Sequence, residues 1–150
     1  MLARSLVAVV VVVGLLVTLP GCTSAEYKQQ RLENLNAAIE EFDAASVGEV
    51  LCEAHGGEVA LGRGYTHSYL FGADSWEPIV ARFAQLNYSG SDTSPHLSYS
   101  RSDGIIASGK LYDEQPSTDS EVAEELEAIG CDLPSSAFIY MQFSERGVSS

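Results

Sequence analysis

The stretch HLSYSRSDGIIASGKLY, running from His96 to Tyr112, decides the fold. His96 to Arg101 and Ile105 to Tyr112 each read as a strand. Between them Ser102-Asp103-Gly104 supplies Asp-Gly, a dipeptide that tolerates positive φ and so suits a tight hairpin. The two arms are expected to pair antiparallel.

Working outward, Asp113 to Ser117 reads as a turn and Thr118 to Glu121 as a capping box. Val122, Leu126 and Ile129 then mark one face of a helix stopped by Gly130. Ala137 to Phe143 follows as a strand. Upstream, Glu58 to Phe71 shows the period of two expected of a strand, with glycines able to bend it. Asp74 and Ser75 offer a cap, Pro78 lies in the first turn, and Ile79, Phe83 and Leu86 trace a helix to about Asn87. Tyr88 to Pro95 reads as a polar loop. The order strand, helix, strand, strand, helix, strand predicts an α+β fold of ferredoxin-like βαββαβ plan, an antiparallel sheet with helices on one face.

Ahead of this unit, Leu32, Leu35, Ile39 and Phe42 recur at spacings of three and four, which predicts an amphipathic helix from Glu26 to about Ala45. Ser46-Val47-Gly48-Glu49 fits a capping box opening a short helix through Val50, Leu51 and Cys52, ended by His55-Gly56-Gly57. A single domain over 26–150 is expected, with a helical N-terminal part at 26–56 and the βαββαβ unit at 57–145. About 125 residues suffice for one core.

The N-terminus carries a different kind of signal. Arg4 is followed by fourteen almost wholly apolar residues, Leu6 to Leu19, and then Pro20-Gly21-Cys22. Fourteen helical residues at about 1.5 Å each span about 21 Å, short of a hydrocarbon core of roughly 30 Å, so a secretory leader is the better reading than a membrane-spanning helix. Leu19-Pro20-Gly21-Cys22 resembles the lipobox of bacterial lipoproteins. That resemblance implies a leader at 1–21 removed by cleavage, a diacylglyceryl (palmitate-type) modification on Cys22, and a lipidated tether at 22–25. It also implies a body held at the extracytoplasmic face of the cell membrane, since several acyl chains on one residue anchor stably where a single chain does not.

With Cys22 assigned to lipid, Cys52 and Cys131 remain as an even pair in an oxidising compartment and are expected to form a disulfide. The competing readings are two free buried thiols or a redox pair, although no CxxC motif supports the latter. The formal charge of the whole chain is −13, and loss of residues 1–21 removes one arginine and no acid, leaving −14. Such a balance repels phosphates and disfavours nucleic-acid binding.

No catalytic or cofactor motif stands out, and no cofactor is implied. His55, His67 and His96 lack a recognised metal-ligand spacing, so no metal site is expected and surface or structural roles are assigned to them. Eight acids lie between Asp113 and Asp132 without an intervening base, but helical spacing disperses them. The tyrosines are the better clue: Tyr65, His67, Tyr69, His96 and Tyr99 form a candidate binding face on the expected strands, because aromatic side chains are enriched at recognition surfaces. The functional expectation is therefore a lipid-anchored envelope protein acting as a binding module, with the membrane and an envelope protein as partners. The alternatives are an extracytoplasmic hydrolase using Asp103, His67 and His96, or capture of cations or small ligands.

Overall fold

A computed structural model describes residues 24–58 and 64–146. Residues 1–23, with the apolar run and Cys22, lie outside them, as do 59–63, the first part of the strand expected from Glu58 onward. Helix α1 (Ser24–Phe42) and the short α2 (Ala44–Val47) precede strands β1 (Val50–Glu58) and β2 (Gly64–Gly72). Helix α3 (Trp76–Gln85), strands β3 (Ser89–Ser91), β4 (His96–Ser100) and β5 (Ile105–Tyr112), helix α4 (Glu121–Ala128) and strand β6 (Phe138–Arg146) follow. Among the described residues no helix is long and apolar enough to cross a membrane.

The hairpin forms as its sequence predicts. Tyr99 faces Ala107 across the ladder, and the turn closes through Gly104 N–H to Arg101 O (3.1 Å) with Gly104 at φ 88. Helix α4 starts at the Ser120 N-cap, whose Oγ accepts from Ala123 N–H, two residues after the expected cap at Thr118. It ends before Gly130 at φ 77, as read.

The fold is α+β with a six-stranded antiparallel sheet in the order β1-β2-β6-β5-β4-β3. The ferredoxin-like plan is corrected by that order. A split βαβ unit joins two parallel strands through a helix and parts them by one strand, whereas here β2 and β4 run in opposite directions with β6 and β5 between them. Two strands hidden in the sequence account for the difference. Ser89–Ser91 pairs with Ser98 to Ser100 inside the expected loop, and reverses the chain after α3. Val50–Glu58 pairs with β2, so the short helix expected through Val50, Leu51 and Cys52 is a strand.

The reason is local. Gly48, at φ 167 and ψ −171, ends α2, and a Cβ there would lie 1.9 Å from Ser75 Oγ. Ser46 Oγ donates backward to Asp43 O (2.7 Å) and caps no following helix. From Val50 on, pairing with β2 satisfies backbone groups that a helix this short would leave open.

Alternation along β2 and β6 sends side chains to two cores, which corrects the expectation of helices on one face. Tyr69, Phe71, Ile139, Met141 and Phe143 meet Leu35 and Phe42 of α1 and Ile79 and Phe83 of α3. Phe42 sits edge-on to Phe143 at 5.0 Å. Leu70, Phe138 and Tyr140 point the other way and meet Val122 and Leu126 of α4, with Cys131. Cys52 of β1 joins that second layer through a disulfide to Cys131 (Cα–Cα 6.0 Å). Helix α4 covers only part of its face. A cross-strand row runs from the buried Ser68 through the half-buried Gln142 to a polar surface at Ser108, Ser98 and Ser91.

Glu40 and Glu41 at the C-terminus of α1 oppose its dipole, and two arginines offset them. Arg82 donates from Nε to Phe42 O (3.0 Å) and from Nη2 to Glu41 O (2.6 Å), and Arg101 pairs with the Glu41 carboxylate at 2.6 Å. At the other end Arg31, buried, donates to the Glu145 carboxylate and to Glu145 O (2.8 Å). These contacts fix α1 across β2 and β6.

Candidate functional site

The β1–β2 pairing brings together residues that the sequence keeps apart. His55 lies directly opposite His67, and Glu53 opposite Tyr69. Same-face neighbours on a strand are two residues apart, so all four side chains share the α1 side of the sheet. Their ladder continues through His67 opposite Phe143 of β6. The His55 and His67 rings stand 4.4 Å apart at 77°, and the His67 and Tyr69 rings 4.6 Å apart.

His67 is buried at 1% exposure, and its Nε2 lies 2.9 Å from Glu53 Oε1. Burial lowers its pKa below the ordinary histidine value, the neighbouring His55 lowers it further, and Glu53 opposes both without winning. His67 is therefore neutral at pH 7. With Nε2 carrying its hydrogen, it donates to the carboxylate. Burial first, and the nearby Glu53 carboxylate second, drive the Tyr69 hydroxyl pKa far above its usual value. Glu53 and His55 are exposed. One donor atom from each of Glu53, His55 and His67 lies within 4.8 Å of the others.

The residues singled out from sequence distribute differently. Tyr69 and Tyr99 are buried, Tyr99 stacked on Phe83 at 4.6 Å, and Tyr65 is half-buried against the same core. His96 is exposed on the opposite face, because Leu97 and Tyr99 point into the core from its strand. These five side chains do not make one exposed surface. His67 and His96 sit on opposite faces with two strands between theirs, roughly 14 Å of sheet. Asp103 lies in the β4–β5 turn, 2.8 Å from Arg101. No Asp103, His67, His96 constellation is assembled. Glu121, Glu124, Glu125 and Glu127 are exposed along α4, with Glu125 accepting from Tyr140 OH at 2.8 Å.

A cavity of ≈ 440 Å³ lies beside the disulfide, lined by Thr118, Glu127, Cys131 and Asp132 among others. It holds no imidazole, so the chemistry converges at the Glu53 end of the sheet and not at this cavity. The cluster was hidden because His55 reads as a helix terminus. Its signal was Glu53-x-His55 and His67-x-Tyr69, two period-two pairs around the glycines at 56, 57, 62 and 64.

The chain matches no protein family model, no curated protein and no solved structure.

Proposed function

We propose that this chain is a lipid-anchored extracytoplasmic envelope protein whose disulfide-stapled α+β domain acts as a binding module. The observation that carries the reading is the use of its cysteines. Cys52 and Cys131 are bonded to each other, which supports an oxidising compartment, and the third cysteine is the one that closes Leu19-Pro20-Gly21-Cys22. One thiol for the lipid and two for the staple leave none unassigned.

Support for binding over hydrolysis comes from the separation of Asp103, His67 and His96 described above. The uncovered part of the sheet, with exposed His96, Ser98, Ser100 and Ser108, leaves a polar surface to an envelope protein partner. Fractionation tests the anchor. The wild-type chain is expected in the membrane pellet, resistant to high salt and released by detergent, and Cys22→Ala in the soluble extracytoplasmic fraction. Equal distribution of the two would overturn the reading.

A further inference from the structure

We propose that Glu53, His55 and His67 form a binding site for a divalent first-row transition metal of the zinc type, with one coordination position left to solvent. The proposal goes beyond the anchored binding module and does not depend on it, since none of the three residues bears on Cys22.

The donor set argues for the class of ion. Two imidazole nitrogens and one carboxylate oxygen suit zinc, copper, nickel or iron, whereas calcium and magnesium want oxygen alone. A tetrahedral ion with bonds of about 2.0–2.1 Å places its ligands about 3.4 Å apart. The donor atoms already lie within 4.8 Å of one another, so at most roughly 1.4 Å must close, by side-chain rotation with the backbone unmoved. Glu53 and His55 are exposed and free to make that rotation. The buried His67 is held on β2, between its pairings to His55 and Phe143, and gives the site its fixed point. Between His67 Nε2 and Glu53 Oε1 the 2.9 Å separation opens by about half an ångström as the ion replaces the shared hydrogen. His67 gives up its Nε2 hydrogen to solvent and takes one back on Nδ1, so the ring binds as a neutral imidazole, no net proton is released and no oxidation state changes.

Two features complete the site. Tyr69 stands opposite Glu53 in the ladder with its ring 4.6 Å from the His67 ring, and so backs the carboxylate and the imidazole from the core side. The exposure of Glu53 and His55 gives the ion its entry and a place for water or an exchangeable ligand. A net charge of −13 raises the local cation concentration.

The test uses the full chain, freed of metal with a chelator and dialysed, then titrated with zinc chloride by calorimetry and with cobalt chloride by visible absorption. One zinc ion per chain with micromolar or tighter affinity is expected, displaced by copper and not by calcium. A cobalt spectrum of low-symmetry nitrogen and oxygen coordination should accompany it. His55→Ala and Glu53→Gln, both at exposed positions, should keep the fold by circular dichroism and weaken zinc binding by at least about tenfold. His96→Ala, on the opposite face, should bind as the wild type does. Absence of saturable binding, or an affinity unchanged in His55→Ala, would overturn the proposal. Should His67→Ala fail to fold, the His55→Ala result decides alone.

Discussion

Cutting the Cys52–Cys131 bridge should lower the stability of the domain more than any single surface change. The bridge joins β1 at one edge of the sheet to the segment after α4, and closes a loop of 79 positions. The chain-entropy relation for a loop of that size gives about 4.5 kcal/mol at 25 °C, because reduction returns that freedom to the unfolded chain. For a domain near 125 residues the unfolding entropy at the midpoint is about 0.26 kcal/mol/K, so the melting temperature should fall by roughly 17 °C. Packing gives the loss a location. Cys131 is buried at 5% exposure among Leu70, Val122, Leu126 and Phe138, so α4 and its face of the sheet should loosen first. Two arms separate cross-link from side chain: the wild type with and without reductant, and the double substitution Cys52→Ala/Cys131→Ala. Scanning calorimetry reads the midpoint, and hydrogen exchange reads α4. If the reduced wild type melts within about 3 °C of the oxidised form, the entropic argument is refuted.

Other expected outcomes rest on polar groups in the cores. Arg31→Ala or Glu145→Ala leaves the other charge buried and should cost about 3–5 kcal/mol, while Arg31→Met/Glu145→Leu should recover most of it; urea melts of the three variants check this. The Tyr88 hydroxyl is buried without a hydrogen-bond partner among the described residues, so Tyr88→Phe should stabilise by about 1 kcal/mol, with the Arg101 stacking at 5.0 Å retained on the phenyl ring. Burial pushes the Tyr88 hydroxyl up to about 12 against the opposing pull of Arg101. Burial, helped by Glu125 and opposed by Ser68, likewise raises Tyr140 to about 12. Both folded values exceed the unfolded value near 10, so the folded state holds more protons between them, and this contribution to stability is complete below pH 10 and lost as pH rises toward 12. Ultraviolet titration should show these two tyrosines ionising after the exposed ones and together with unfolding; their ionisation near pH 10 in the intact fold would contradict the burial argument.

Much of the fold was legible where local chemistry and tertiary demand agree. Asp103-Gly104 fixes the turn, Ile79 and Phe83 fix the buried face of α3, and Gly130 stops α4, each through a constraint acting within a few residues. The rest depended on partners distant in sequence. Val50 to Glu58 contains alternation, but a bulge between Val50 and Cys52 and the Ser46-x-x-Glu49 spacing disguise it as a helix start. Ser89–Ser91 is too short and polar to signal a strand and exists only because Ser98 to Ser100 lies beside it. Those two edge strands set the sheet order, and β1 carries Glu53 and His55, so the missed strand and the missed cluster have one cause. The tyrosines were legible as a sheet face. Whether that face met water depended on α1 and α3, which pack on it and cover Tyr69 and Tyr99.

Intact mass spectrometry of the membrane-extracted protein, before and after reduction and alkylation, tests the anchored and stapled account most directly. The account predicts a chain beginning at Cys22 that carries two or three acyl chains, with two further cysteines alkylated only after reduction. An unlipidated chain, one retaining residues 1–21, or Cys52 and Cys131 alkylated without reductant would contradict it.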